Sequence, residues 1–157
     1  MRNLPKPKTT HKRIRMPSHA ETRLLPFSAD QMFDLVLDVG QYPDFLPWCV
    51  ATRVKSKSDR EMVADMAVGF KMLREKYTSH VTWDKPHHIH IKDAGGPFNF
   101  LETDWQFRPT AEGVEVDFRI DFEFSSALLE RVMGGIFTEA AHKMMQAFVT
   151  RAENIYT

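Results

Sequence analysis

The sequence predicts an α+β fold in which a curved antiparallel sheet of about six or seven strands packs against a long C-terminal helix. Between residues 50 and 124, apolar and polar side chains alternate with a period of two, as strands with one buried and one solvated face require. From 126 to 156 the apolar side chains instead recur at steps of three and four residues, which is the period of an amphipathic helix. The order of the two patterns places the helix across the sheet.

Charge divides the chain into a basic head, residues 1–16, and a body, residues 17–157. The chain has 157 residues and a formal net charge of zero, from 21 basic and 21 acidic side chains. The head holds six of the bases and no acid, so the body has a net charge of −6. The length of the body is typical of one domain with a substantial core.

The head has two prolines and no apolar run, which argues against a secretory signal peptide. Three interpretations remain. The head is a disordered extension upstream of a natural start at Met16, an organellar transit segment, or a basic arm that attracts anionic lipid or RNA. We expect the first, and mass spectrometry of the native N-terminus distinguishes the three.

Composition excludes several classes of protein. The apolar runs are far shorter than the ~20 residues that span a bilayer, so the sequence predicts no transmembrane helix. Cys49 is the only cysteine, which excludes an internal disulfide and a cysteine-based zinc site and agrees with a reducing compartment. We therefore expect a cytoplasmic protein, peripheral at the inner membrane if it meets one, or a mitochondrial protein if the head is a transit segment.

The first predicted elements of the body are a short strand over residues 19–25 and a capped helix. Ser28 is a good helix N-cap, and Gln31 three residues later completes a capping box. Apolar residues at helical spacing carry this helix to about Val39, where Gly40 can supply a left-handed C-cap.

The segment 42–49 is apolar but irregular in sequence. Pro43 and Pro47 exclude both a regular helix and a central strand. Its large apolar side chains are Tyr42, Phe45, Leu46 and Trp48. Because solvating all of them is costly, we expect the segment to fold inward or to present an apolar surface to a partner.

The strands follow this segment. At least three fit between residues 50 and 81. One more, containing Ile89 and Ile91, lies between turns predicted at 83–86 and 93–97, and the second of these is the strongest turn signal in the sequence. Two more span about 98–108 and 113–124, and the last of these alternates cleanly between apolar and charged residues. The final helix covers 126–156, with a serine cap at its start and Gly134 and Gly135 in its first third, where the helix can bend or be approached closely.

Methionine and phenylalanine are concentrated on the predicted inner faces of the sheet and helix. The chain has 9 methionines, whose flexible thioethers suit an adaptable apolar lining. The inner residues of these two types are Met62, Met66, Met72, Met133, Met144, Met145, Phe70, Phe118, Phe122 and Phe137. These side chains either fill the core or line a ligand cavity, and the residue types alone leave both interpretations open.

Catalytic and metal-binding patterns are scarce. His87, His88 and His90 form a cluster, but no carboxylate or thiol joins them at a recognised spacing, so we expect no metal site. The sequence contains neither a Gly-rich phosphate loop nor a Gly-x-Ser-x-Gly elbow. Cys49 has no base nearby in sequence, so we expect no catalytic residue and no enzyme.

Four separated motifs carry a resemblance to a known family. They are Tyr42, Pro43, Phe45, Leu46, Pro47, Trp48 and Cys49; Val68, Gly69, Phe70 and Lys71; Gly96, Pro97 and Phe98 with Leu101 and Trp105; and Ala147, Phe148, Arg151 and Ala152. In this order, over about residues 17–157, they resemble the coenzyme Q-binding START-like family of the polyketide cyclase/START superfamily. The resemblance implies a helix-grip fold with a hydrophobic tunnel under the C-terminal helix. It also implies no catalytic chemistry and a carrier or chaperone role for ubiquinone in respiration.

The resulting prediction is a noncatalytic carrier of ubiquinone or a similar polyprenyl quinone, with no other cofactor. The predicted ligand-binding residues are Phe45, Leu46, Trp48, Met66, Phe70, Lys71, Trp105, Phe118, Phe122, Met133, Phe137 and Met144. Possible hydrogen-bond donors to the quinone ring are Lys71, Arg74, Tyr77 and Trp105. We expect the tail to leave at the segment 45–48 or at the end of the long helix, where the carrier makes transient contact with a membrane.

Two alternative functions remain. Bacterial relatives within the same resemblance are proposed to act on ribosomal subunit association, but the acidic body would leave phosphate binding to the basic head. Cyclases share the predicted fold, and an enzyme of that kind needs a buried acid or base facing the cavity. The acids that interrupt otherwise apolar strands are Asp65, Glu102 and Asp104. We expect no DNA partner.

Overall fold

The structure is a computed structural model that describes residues 18–70 and 73–157, and of Phe70 and Leu73 it describes the backbone alone. The basic head lies outside the described residues, so the expectation that it is disordered also concerns residues outside them. Lys71 and Met72, two of the predicted inner or ligand-binding residues, also lie outside them.

The described residues form seven strands and four helical segments. In chain order these are β1 (Ser18–Leu25), α1 (Ala29–Leu37), a 3₁₀ turn (Val39–Gln41), α2 (Tyr42–Phe45), β2 (Cys49–Lys57), β3 (Glu61–Phe70), β4 (Leu73–Asp84), β5 (His88–Ala94), β6 (Phe98–Thr110), β7 (Gly113–Phe124) and α3 (Ala127–Tyr156).

The strands form one curved antiparallel sheet in the order β1-β7-β6-β5-β4-β3-β2. From β2 to β7 each strand pairs with the next one along the chain, and β1 pairs with β7. The edges of the sheet are β1 and β2, and α3 lies across its inner face. This arrangement confirms the predicted α+β helix-grip fold.

The first helix begins as predicted and ends earlier. The Ser28 side chain accepts a hydrogen bond from the Gln31 backbone N–H at 3.0 Å, and the Ser28 N–H donates to Gln31 Oε1 at 2.9 Å, which completes the capping box. The helix ends at Leu37. The predicted left-handed cap at Gly40 is wrong, because Gly40 belongs to the 3₁₀ turn and is absent from the described positive-φ glycines.

The prediction that the segment 42–49 contains no regular helix is wrong for its first half. Tyr42–Phe45 is a short helix with Pro43 in its first turn. A proline is compatible with this position because the N–H groups of a first turn have no partner within the helix. Leu46 has an extended backbone, residues 47–48 form a turn, and the chain enters β2 at Cys49.

The long helix α3 packs unequally along its length. Ser126 caps it by accepting a hydrogen bond from the Leu129 N–H at 3.1 Å. Its buried residues begin at the middle of the helix and continue through the second half, and they are Ala141, Met145, Phe148, Val149 and Ala152. No helix of the described residues is long and apolar enough to cross a membrane.

Aromatic rings fill the core beneath the second half of α3. The Phe148 ring meets the Trp105 indole edge to face, with centroids 5.1 Å apart, and Trp105 contacts Phe118 with centroids 4.6 Å apart. All three residues are almost completely buried. Each burial contributes roughly 1.5–3 kcal/mol, so this cluster anchors the helix to the sheet.

Two glycines differ in whether the surrounding structure leaves room for a side chain. Gly113 has φ +147°, and a Cβ at this position would lie 2.0 Å from the Leu25 carbonyl oxygen, whereas a Cβ on Gly135 would meet no atom within 4 Å. We expect Gly113→Ala to lower the free energy of unfolding by about 2 kcal/mol or more, because it combines strain with a backbone clash. Gly135→Ala, a control within a helix, should raise it by about 0.5–1 kcal/mol.

Urea denaturation of both variants and the wild type measures these changes. Equal effects at the two positions would contradict the close packing of the β6–β7 turn against the end of β1.

Candidate ligand-binding cavity

A cavity of about 210 Å³ lies between the inner face of the sheet and α3, mostly under the first half of the helix. The α2–β2 loop, β3, β4, β5, β6 and β7 form its walls, and α3 covers it. The part of α3 that lines the cavity consists of Leu129, Met133, Ile136, Phe137, Ala140, Ala141, Met144 and Phe148. The cavity is therefore mainly apolar and lies beside the aromatic core rather than within it.

The structure brings most of the predicted ligand-binding residues to this cavity. Those that line it are Leu46, Trp48, Met66, Trp105, Met133, Phe137 and Met144. Lys71 and the side chain of Phe70 lie outside the described residues. Phe45, Phe118 and Phe122 do not line the cavity.

These three phenylalanines instead support the lining from behind. Phe122 contacts the lining ring of Phe137 with centroids 4.4 Å apart, and Phe118 packs on Trp105. Phe45 packs on Phe148 with centroids 5.3 Å apart. Strand alternation shows which face points inward, but it does not separate cavity from filled core.

The α2–β2 loop, residues 46–48, folds inward as one wall of the cavity. Trp48 has φ +67°, a left-handed conformation that costs a non-glycine residue about 1–3 kcal/mol. Its carbonyl oxygen accepts a hydrogen bond from the Gly69 N–H at 2.9 Å, which ties the loop to the end of β3. The surrounding structure therefore holds the Trp48 side chain at the cavity.

The last turns of α3, at one of the two expected exits for the tail, do not line the cavity. The lining part of α3 ends at Phe148, and the turns beyond it pack against the body of the protein. The Tyr156 hydroxyl donates a hydrogen bond to the Gln31 carbonyl at 2.9 Å, and the Tyr156 ring packs on Phe27 with centroids 5.9 Å apart.

Part of the cavity wall is polar, and its acid, Asp93, is not among the site residues predicted from the sequence. Asp93 on β5 lines the cavity together with Ser79 on β4 and Thr103 on β6. The Ser79 hydroxyl donates a hydrogen bond to Asp93 Oδ1. Asp93 falls in the predicted turn 93–97, but it lies within β5, where alternation from Ile89 and Ile91 places it on the same inward face.

Burial controls the ionisation of the groups in this cavity. It raises the pKa of Asp93 to about 7, although the hydrogen bond from Ser79 acts in the opposite direction. Burial also raises the pKa of the Cys49 thiol to about 11 and the pKa values of the Tyr42 and Tyr77 hydroxyls well above their ordinary value. Among the described lining residues there is no lysine, arginine or histidine.

The acids singled out from the sequence lie elsewhere. Asp65, Glu102 and Asp104 do not line the cavity and instead contact polar partners on neighbouring strands. Of the proposed hydrogen-bond donors that the structure describes, Tyr77 and Trp105 line the cavity and Arg74 does not.

A carboxylate joins His88 and His90 of the histidine cluster, contrary to the expectation from sequence spacing. Asp104 lies opposite His90 in the β5–β6 register. Its Oδ1 atom is 2.6 Å from His88 Nε2 and 3.2 Å from His90 Nδ1. Although burial alone would raise the pKa of Asp104, these histidine contacts hold it below its usual value. Sequence spacing does not show which residues face each other across neighbouring strands. The absence of a metal site stays a prediction.

A second group of this kind links the sheet to the long helix. The Glu21 Oε1 atom lies 2.8 Å from His19 Nε2 and 3.1 Å from His142 Nδ1. Arg23 on the same strand donates a hydrogen bond to Gln146 Oε1 at 3.1 Å. These contacts hold the middle of α3 against β1, between the part of the helix that covers the cavity and the part that packs on the filled core.

Comparison with known proteins identifies a matching family model and several similar proteins. A family model described as polyketide cyclase/dehydrase and lipid transport matches residues 25–149. The ribosome association toxin RatA of Rickettsia prowazekii (strain Madrid E) is 38% identical over 144 residues, which cover 89% of this chain and 99% of that protein. The mitochondrial coenzyme Q-binding protein COQ10 homolog B of Xenopus laevis is 35% identical over 98% of this chain and 64% of that protein.

A solved structure is also similar. The solution structure of the 18 kDa protein CC1736 from Caulobacter crescentus has a TM-score of 0.72 and 36% sequence identity. The match covers 90% of this chain and 99% of that one. The family match spans most of the body and agrees with the fold and with the START-like resemblance of the motifs. The chain therefore belongs to the polyketide cyclase/dehydrase and lipid-transport family, with a START-like helix-grip fold.

Proposed function

We propose that the protein is a noncatalytic carrier that binds ubiquinone or a similar polyprenyl quinone in the cavity under α3. The observation that carries this proposal is the cavity itself, which has a mainly apolar lining and polar groups in part of its wall. Such a lining matches a ligand with a long hydrocarbon portion and a small polar ring. The name of the Xenopus relative, a coenzyme Q-binding protein, supports this choice of ligand.

The size of the cavity suits a ring and a short length of tail. An apolar cavity of about 150 Å³ holds a benzene molecule, so about 210 Å³ accommodates a substituted ring. Each further isoprene unit that contacts the lining contributes up to roughly 4 kcal/mol before ordering costs, so a few contacting units suffice. A longer tail must leave the cavity.

The first half of α3 offers a surface for that tail and for a membrane. Leu128 and Val132 are 63% and 58% exposed, and they lie next to Leu129 and Met133, which line the cavity. Exposed apolar side chains beside an apolar cavity favour contact with lipid. Because the body is acidic, this contact depends on apolar burial rather than on attraction to anionic headgroups.

An enzymatic function of the cyclase type is less well supported. Asp93 supplies the buried acid that such an enzyme needs, but the described lining contains no histidine or lysine to act with it as a base. The raised pKa of Cys49 keeps that thiol protonated and poorly nucleophilic. A hydrogen-bonding role in ligand binding requires only the groups that are present.

Filling the cavity should prevent loading without unfolding the protein. Ala140 lines the cavity, whereas Thr138 is exposed on the same helix. We expect Ala140→Phe to lower quinone recovery at least about tenfold, since its ring occupies space that the ligand needs, while Thr138→Phe retains wild-type recovery. The measurement is mass spectrometry of organic extracts from purified protein, before and after addition of ubiquinone.

Thermal unfolding of both variants must accompany the extraction, so that a folding defect is not read as lost binding. The absence of quinone and other prenyl lipids from wild-type extracts, together with no uptake of added ubiquinone, would refute the carrier proposal.

A second candidate function is ribosome association, which the name of the RatA relative favours. Among the described residues, Arg53, Lys55 and Lys57 are exposed on the edge strand β2 and form a basic surface for such an interaction. For a carrier, we expect any co-sedimentation of the full chain with ribosomal subunits to disappear at about 150 mM salt, since phosphate contacts of an acidic protein are screened.

Deletion of residues 1–15 separates the head from the body in this assay. Salt-resistant sedimentation that survives the deletion would show that the body recognises the ribosome, and it would favour the second candidate over the carrier.

A further inference from the structure

Asp93 occupies a position where its second carboxyl oxygen is available to a ligand. It lies opposite Ser79 in the β4–β5 register, and the Ser79 hydroxyl donates to Oδ1. Ser79 is only 1% exposed and Asp93 is half-buried, so this contact lies in the cavity wall. The other oxygen, Oδ2, makes no hydrogen bond to any residue that the structure describes. Asp93 nevertheless lines the cavity, so a ligand can complete its hydrogen bonding.

The described titratable groups that line the cavity with Asp93 are neutral or acidic. Tyr77 and Glu75 approach the cavity from β4, Cys49 from the start of β2, and Tyr42 from α2. The lining part of α3 contributes only apolar side chains, and the described lining contains no basic residue. Burial therefore favours the protonated form of Asp93 near neutral pH, and no basic side chain among the described lining residues offsets it.

We propose that the Asp93 carboxyl, in its protonated form, donates a hydrogen bond to the ligand headgroup and selects uncharged ligands that present a carbonyl or similar acceptor. This inference rests on the proposed carrier function and adds the headgroup chemistry. The Ser79 hydroxyl orients the carboxyl by donating to Oδ1, which leaves the Oδ2 proton for the ligand. The Tyr77 hydroxyl is a second neutral donor on the cavity wall.

The arrangement discriminates between lipid classes. A quinone carbonyl accepts the proton of Asp93 without any change in net charge. A fatty-acid carboxylate or a lipid phosphate brings a negative charge into a low-dielectric cavity with two acids and no described base, which is unfavourable. The cavity should thus prefer a quinone over an anionic lipid of the same length.

The same chemistry predicts how binding depends on pH. As pH rises through about 7, Asp93 loses the proton that it donates, so quinone affinity should fall. In the full-length wild type we expect a short-chain ubiquinone to bind about three- to tenfold more tightly at pH 6 than at pH 8, the range that one hydrogen bond supports. A fatty acid of matched length should bind more weakly at both pH values.

Three variants isolate the carboxyl. Asp93→Leu removes the donor and should weaken quinone binding at pH 6 about three- to tenfold, with no remaining pH dependence. Asp93→Asn keeps an N–H donor and should bind nearly as wild type at pH 6, and equally at pH 8. Asp59→Asn, at an exposed turn, is the control and should leave both affinity and pH dependence unchanged.

A measurement without ligand tests the ionisation separately. Because the folded-state pKa of Asp93 is raised to about 7 from an ordinary value of 3.8, its contribution to stability is present below about pH 4 and is lost as pH rises through 7. We expect the free energy of unfolding of the wild type to fall across this range more steeply than that of Asp93→Asn.

The possible outcomes separate the two proposals. If the wild type binds quinone but Asp93→Leu binds it equally well at pH 6, the role of Asp93 is refuted and the carrier function stands. If Asp93→Leu does not fold, equal pH dependence of binding in the wild type and Asp93→Asn refutes it instead. If the wild type binds no quinone at any pH, both proposals fail.

Discussion

The unequal packing of α3 on the sheet is the constraint on which the rest of the structure depends. The second half of the helix is fixed by the contact of Phe148 with Trp105 and by the anchoring of Tyr156 on α1. The first half extends from this anchor over the remaining inner face of the sheet, where its side chains do not fill the space. The cavity exists because the helix is held firmly at one end and covers more sheet than it packs against.

The cavity combines an adaptable apolar lining with a rigid polar part of its wall. Met66, Met133 and Met144 contribute flexible side chains that can adjust to ligands of different shape. Asp93 and Ser79, by contrast, lie on adjacent strands of a hydrogen-bonded sheet, which fixes their separation and orientation. A polar group on a rigid sheet with a soft apolar surround suits recognition of a small headgroup carried by a variable hydrocarbon tail.

Alternation and capping signals made much of the fold predictable from local sequence. The Ser28–Gln31 capping box, the clean alternation in β7 and the helical spacing of α3 each depend on residues close in sequence. The errors at Gly40 and Pro43 arose where several backbone conformations are compatible with the same residues. The acid of the cavity was missed because Asp93 belongs both to the end of a strand and to a strong turn signal.

The sequence by itself determined the class of fold, the apolar character of its interior and the charge difference between head and body. These follow from composition and from periods of two and 3.6 residues, which are local properties. Only the tertiary structure decided which inward residues line a cavity, which of them support it, and that Asp104 joins His88 and His90. Those facts depend on strand register and on the line that α3 takes across the sheet, and contacts between distant residues set both.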